Sequence, residues 1–196
     1  MSNHPIDGLP ELTIATDEDV PAVVSLINRA FRGTGEDAGW STREQYIDGI
    51  RITEDLLRED IAANPQATLL LWRLAGNSLI GCVWLEPGPD GVWILGKLAV
   101  PPREQNAGLG RKLLQAAEKW AQLRGATEIR MTTVNLRDAL IEWYKRRGYT
   151  RTTETKPFPY GDKRFGKPKR DDLYFVVLFK RLDQPNRAEV QGQVTL

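Results

Sequence analysis

The chain has 196 residues, 22.1 kDa, with 41% hydrophobic and 27% charged residues, a balance that fits one soluble domain whose core needs no disulfide or metal staple. Cys82 and His4 are the only cysteine and histidine, which argues against an internal disulfide, a cysteine-rich zinc site, a Ser-His-Asp triad and a Cys-His pair, and leaves acid–base work to Tyr, Glu, Asp, Lys or water. The net charge of +1 divides into −8 over residues 1–100 and +9 over residues 101–196; the split points to an anion held by the C-terminal half and a cation met by the N-terminal half, or to attraction between the two halves of one domain.

Polar segments 1–9 and 183–196 read as tails around a domain over 10–182. Leu12–Ala15 alternates like a short strand, and Thr16 followed by Asp17-Glu18-Asp19 reads as the capped, acidic start of a helix running to about Arg29. Residues 32–45, with Gly33, Gly35 and Gly39, read as loop or irregular helix. A second helix starts after Thr53 and ends at Asn64-Pro65. Strands follow over Thr68–Leu74, Leu79–Leu85 and Val92–Val100, with turns at Gly76-Asn77 and Pro87–Gly91 and a stop at Pro101-Pro102.

Leu109, Leu113, Ala116, Ala117 and Trp120 then share one face of a helix that Gly125 ends. Glu128–Val134 is a strand, Arg137–Arg147 a helix stopped by Gly148, and Tyr149–Thr155 and Asp172–Lys180 are the last strands. The sum is a mixed α/β domain around one central sheet. No apolar run approaches a membrane span, and the N-terminus lacks a leader's basic start and apolar core. A reduced, cytoplasmic location away from membranes is the expectation.

Chemistry concentrates between the third apolar strand and the amphipathic helix, in Arg103-Glu104-Gln105-Asn106-Ala107-Gly108-Leu109-Gly110-Arg111-Lys112. Glycines at a helix start let backbone N–H groups approach a phosphate, and the dipole favours the anion. A P-loop would need a hydroxyl after Lys112, where Leu113 stands, and a dinucleotide fingerprint would need a third glycine at that same position. The pattern that is met is Q-x-x-G-x-G, from Gln105 to Gly110.

With Leu98-Ala99-Val100-Pro101 just before this loop, and Tyr144-Lys145-Arg146-Arg147-Gly148-Tyr149 one β-α unit later, the chain resembles the GNAT superfamily of acyl-CoA N-acyltransferases over roughly residues 10–182. The resemblance implies a sheet of about seven strands with four flanking helices. It implies acetyl-CoA as cosubstrate, no metal, and an amine acceptor, either a small molecule or a peptide or protein amine, in a monomer or homodimer. It gives Leu98, Ala99 and Val100 to the pantetheine amides and the amides of Gln105, Asn106, Ala107, Gly108, Leu109, Gly110 and Arg111 to the diphosphate, with Arg103 adding positive field.

Tyr144 matches the tyrosine that the family often uses to protonate the departing thiolate. An asparagine that often contacts CoA would fall at Arg137, while Asn135 stands two residues earlier, so either residue is a candidate. The family's base is often a Glu or His on the strand that here offers only Lys97. Glu86, an acid of the 36–48 region, or a water chain remains for that role. A GNAT-like CoA-binding module without catalysis is the alternative function.

Residues 155–172 are long for a loop, and Phe158, Tyr160 and Phe165 argue for order. They are expected to wall the acceptor site or to serve order or a dimer contact. Gly33–Ile50 would form the opposite wall, with Glu36, Asp37, Glu44 and Asp48 drawing a cationic amine and Trp40 and Tyr46 stacking on it or filling the core edge. Asp162, Asp171 and Asp172 dilute the basic run Lys163–Arg170, which argues against nucleic acid. Cys82 reads as a buried apolar residue, with an acyl-cysteine as the other possibility.

Overall fold

A computed structural model describes residues 8–33, 46–102 and 107–182. After strand β1 (Leu12–Ile14), the Thr16 N–H donates to Asp19 Oδ2 at 2.9 Å and a 3-10 turn over Asp17–Asp19 leads into helix α1 (Val20–Arg32). The expected helix therefore runs one turn further than its apolar spacing suggested. Its buried Val20, Val23, Leu26, Ile27 and Ala30 make one continuous stripe. Strand β2 (Ile47–Asp48) precedes helix α2 (Glu54–Ala63), where the Thr53 hydroxyl accepts from the Leu56 N–H.

Strands β3 (Thr68–Arg73), β4 (Leu79–Pro87) and β5 (Val92–Ala99) run antiparallel, one after the next. Helix α3 (Leu109–Gln122) leads to β6 (Glu128–Val134), and helix α4 (Asp138–Lys145) to β7 (Thr150–Pro157). Strands β8 (Lys167–Pro168) and β9 (Tyr174–Arg181) close the fold. Seven strands form one sheet in the order β1-β3-β4-β5-β6-β9-β7, and only β5 and β6 are parallel neighbours. This is the mixed α/β sheet with four helices that the sequence predicts.

The helices divide between the two faces. α1 and α2 cover Leu69, Leu71, Cys82 and Trp84, while α3 and α4 cover Leu70, Val83, Leu85 and Ile129. The alternation within β3 and β4 is the period-two pattern of strands buried on both sides. α3 lies close on β4 because Gly81 leaves room: a Cβ there would stand 2.9 Å from Leu113 Cδ2.

The structure adds a small second sheet where the sequence predicts two separate loops. Ile47 pairs with Pro168 and Asp48 with Lys167. The segment expected on one side of the acceptor site and the long loop expected on the other are thus stitched together. Gly166 makes this closeness possible, since it adopts φ +81° and a Cβ there would strike the Asp48 carbonyl oxygen. Ile47, Val134, Phe158 and Leu173 bury a satellite core beneath the ladder.

Candidate active site

Two neighbouring strands part company in the middle of the sheet. β5 pairs with β6 only from Val92–Ile94 against Glu128–Arg130. Beyond that point β6 stays with β9 as far as Val134↔Phe175, and β5 stays with β4 as far as Ala99↔Cys82. The register of β4 against β5 shifts between Cys82 and Trp84, and Lys97 on β5 takes the left-handed φ of +47°. Such a bulge bends its strand and turns side chains to new directions. The result is a V-shaped cleft of about 1020 Å³.

The cleft passes through the sheet. Phe31 of α1 and Arg51 line it from one face, and Leu140, Trp143 and Tyr144 of α4 from the other. Leu98, Ala99 and Val100 form its β5 edge, and Gly110 in the first turn of α3 reaches it. α3 starts from Gly108, whose φ of +78° is the left-handed start that glycine allows. Ala107, Leu109 and Arg111 belong to this helix start without lining the cleft. Arg103, Gln105 and Asn106 lie outside the described residues.

Tyr144 is 6% exposed, with Trp143 edge-on at 4.9 Å and Tyr149 at 5.5 Å between ring centroids. These two neighbouring rings fix its orientation. Arg137 caps α4 next to it and is 7% exposed. Burial pulls its guanidinium down to about 10, against the opposing pull of the Tyr144 and Tyr46 phenols. Asn135 is turned elsewhere: its side chain donates to the Asp172 carbonyl and accepts from the Tyr174 N–H, both at 3.1 Å. Of the two candidates two residues apart, the structure brings Arg137 to the cleft.

Glu86 lines the cleft from β4 and accepts from Trp84 Nε1 at 3.3 Å. Lys97 does not point at open solvent. Its ammonium stands 2.9 Å from Asp60 Oδ2 of α2 and 4.2 Å from the centre of the Trp84 ring. Glu36, Asp37, Trp40 and Glu44 lie outside the described residues, and Asp48 is held by Lys169 at 2.8 Å. Tyr46 donates its hydroxyl to the Leu136 carbonyl at 3.0 Å, packing the core edge.

Two cleft residues escaped the sequence reading. Thr133 on β6 is 2% exposed, and its hydroxyl has no hydrogen-bond partner among the described residues. It shares the α3/α4 face with Ile129 and Met131. A buried hydroxyl left unbonded beside an open cleft is ready for a ligand atom. The Thr132-Thr133 pair inside a buried strand was its one visible signal. Arg51 is the other, and its sequence neighbourhood carries no signal.

Cys82 is fully buried, and its thiol points at the Lys97 carbonyl at 3.5 Å. Burial pushes this thiol up to about 12. An acyl-cysteine is therefore disfavoured, because the thiolate is the nucleophile. In native protein at pH 8, Cys82 is expected to resist iodoacetamide for hours and to react fully once urea unfolds the chain. Fast native alkylation would restore the acyl-cysteine alternative.

Among the described residues no group of His, Cys, Asp and Glu is arranged to hold a metal, and no helix is long and apolar enough to cross a membrane. Comparison with known proteins gives the site a setting. The acetyltransferase (GNAT) family pattern matches residues 22–149. The chain is 29% identical over 144 residues to a mycothiol acetyltransferase of Saccharopolyspora erythraea, covering 74% of this chain and 44% of that protein. It thus spans less than half the length of that relative.

Its fold is shared with a ribosomal-protein-S18-alanine N-acetyltransferase of Escherichia coli at TM-score 0.62 and 14% identity, covering 91% of this chain and 97% of the other. A ribosomal-protein-alanine N-acetyltransferase of Brucella melitensis matches at TM-score 0.62 and 18% identity, over 88% and 99%. At such identities the likeness is one of fold.

Proposed function

Because the chain belongs to the GNAT acetyltransferase family, we propose that it is an acyl-CoA-dependent N-acyltransferase that moves an acetyl group from acetyl-CoA to an amine by direct attack in a ternary complex. The observation that carries the reading is the parting of β5 from β6 beside Tyr144. A strand edge left without its neighbour accepts an extended amide-bearing ligand as an added strand. The free Thr133 hydroxyl and the glycine start of α3 suit the same ligand, one offering a hydrogen bond and the other backbone donors to a diphosphate.

Acetyl-CoA supplies the activated acyl carbon; the residues supply position, charge and protons. Leu98, Ala99 and Val100 hold the pantetheine arm by backbone pairing. Gln105, Asn106, Ala107, Gly108, Leu109, Gly110 and Arg111 hold the diphosphate at the α3 start, with Arg103 adding charge. Binding both reactants in one cleft makes the attack effectively unimolecular, the largest source of rate available here. Backbone N–H groups on the β5 edge polarise the thioester carbonyl. As the new C–N bond forms and the C–S bond breaks, the Tyr144 hydroxyl gives its proton to the leaving sulfur. A phenol, with a reference pKa of about 10, is a donor at neutral pH. Glu86 takes the amine proton, directly or through water.

Lys97 stands on β5 where a carboxylate base would be expected, and this favours the second reading, a CoA-binding module without catalysis. One experiment separates the two. Acetyl-CoA at about 100 times its Kd is expected to add about 2.7 kcal/mol of stability, whereas ATP and NAD add none. Amine pools are then expected to release free thiol. A shift without thiol release selects the binding module, and no shift removes both readings.

A further inference from the structure

Resting on the acyltransfer reading, we infer that the acceptor amine carries an oxyanion, a carboxylate or a phosphate, and that Arg51 grips it on the α1/α2 side of the cleft. The cleft lining contains six basic and four acidic residues. Asp60 holds Lys97 at 2.9 Å, Asp48 holds Lys169 at 2.8 Å, and Asp162 holds Arg164 through paired contacts, while Glu86 keeps the Trp84 N–H at 3.3 Å. Arg51 lines the cleft, and no ion pair or hydrogen bond of its guanidinium is found among the described residues. The group stands 5.8 Å from the centre of the Phe165 ring.

Arg51 is also held in place before any ligand arrives. The side-chain oxygen of Asn28 on α1 accepts from the N–H groups of Arg51 and Ile52 at 2.6 and 3.1 Å, and its NH2 donates to the Ile52 carbonyl at 2.8 Å. Behind it stands Arg32, whose guanidinium donates to the carbonyls of Gly49, Phe31 and Phe165 and to no described carboxylate. Burial, then the charges of Arg51 and Arg137, pull Arg32 down to about 10. Arg32 and Arg51, like charges beside an open cleft, form a positive field that an anion relieves.

This field is distinct from the expected diphosphate cradle. Arg32 and Arg51 approach from the α1/α2 face, and the start of α3 belongs to the opposite face. The planar fork of a guanidinium suits carboxylate and phosphate oxygens alike. The reactive amine of such an acceptor lies toward Tyr144 while its oxyanion stays with Arg51. Polyamines, with positive charge at both ends, are rejected by the same field.

The test is thiol release from acetyl-CoA with four amine sets: L-amino acids, their amides, O-phosphoethanolamine with related phosphate monoesters, and spermidine with putrescine. Amines bearing an oxyanion are expected to exceed amides and polyamines at least tenfold in kcat/KM, and the carboxylate and phosphate sets distinguish the two sources. Arg51→Gln is expected to raise acceptor KM tenfold or more and erase the preference, with kcat and the acetyl-CoA thermal shift nearly unchanged. Arg51→Lys is expected to keep part of the preference, and it serves if the glutamine variant fails to fold.

Equal turnover of amides or polyamines overturns the inference, as does a preference that survives in Arg51→Gln or a panel with no active oxyanion-bearing amine. In those cases an acetyl-CoA thermal shift with thiol release from any amine still leaves the acyltransfer reading standing. Loss of the shift itself overturns that reading.

Discussion

Replacing Tyr144 by phenylalanine is expected to lower kcat about a hundredfold or more while leaving the acetyl-CoA thermal shift nearly intact. The change removes one oxygen from a side chain that is 6% exposed and keeps the ring in its contacts with Trp143 and Tyr149. Packing is thus conserved and the proposed proton donor is lost. A positioned acid contributes about 10²–10⁴ in rate. The loss should fall on kcat, since in the proposed mechanism the hydroxyl acts on the leaving sulfur. Steady-state kinetics with a fixed amine, alongside a melting curve, decides the matter. A kcat within threefold of wild type would make Tyr144 a core aromatic and hand the acid role to water.

Tyr144 could be named from sequence because its signal is local. Six residues, Tyr144 to Tyr149, carry the helix end, the glycine stop and the following strand start in one string. The helices and most strands were legible for the same reason: periodicity and turn residues act over a few neighbours. The β2–β8 ladder was not, because it joins Ile47 to Pro168 through two pairs of residues. No local pattern marks a strand of two residues. The order of the last strands was hidden as well. β9 inserts between β6 and β7, a pairing set by tertiary packing.

The site divides along the same line. Leu98, Gly110 and Tyr144 were named from motifs, and each lines the cleft. Lys97 was visible as a residue but not as a left-handed bulge clasped by Asp60 and Trp84. The charge split between the halves was legible in number but not in use. The pairs Arg58–Asp17, Arg73–Asp19 and Lys97–Asp60 stay within the first half, and Arg130–Glu128 and Lys180–Glu118 within the second. Lys169–Asp48 crosses between them. Attraction between halves therefore has little share in the seen pairs, which favours the reading of the basic half as a host for an anion.

The second large effect is expected from a residue outside the cleft. Glu118→Ala should cost about 3–5 kcal/mol of stability, a fall in Tm of roughly 10 °C for a domain of this size. Glu118 lies on the buried face of α3 with 8% exposure. One carboxylate oxygen accepts from the Tyr149 hydroxyl at 2.9 Å, and the other meets the Lys180 ammonium at 2.6 Å. These contacts tie α3 to β9 and to the residue just before β7. Alanine leaves a half-buried ammonium without its counter-charge, a buried phenol without its acceptor, and a void. Desolvated groups that lose a partner are penalised more heavily than the pair stabilises. Glu118→Leu combined with Lys180→Met should therefore recover part of the loss, since it removes the stranded charge and fills the space while the Tyr149 hydroxyl stays without its acceptor. Tyr149 packs edge-on against Tyr144, so Glu118→Ala should also lower kcat severalfold through the tilt of that ring. A loss below about 1 kcal/mol in urea unfolding would mean that the Lys180 ammonium, with its side chain 26% exposed, swings into water. The triad would then be an ordinary surface ion pair.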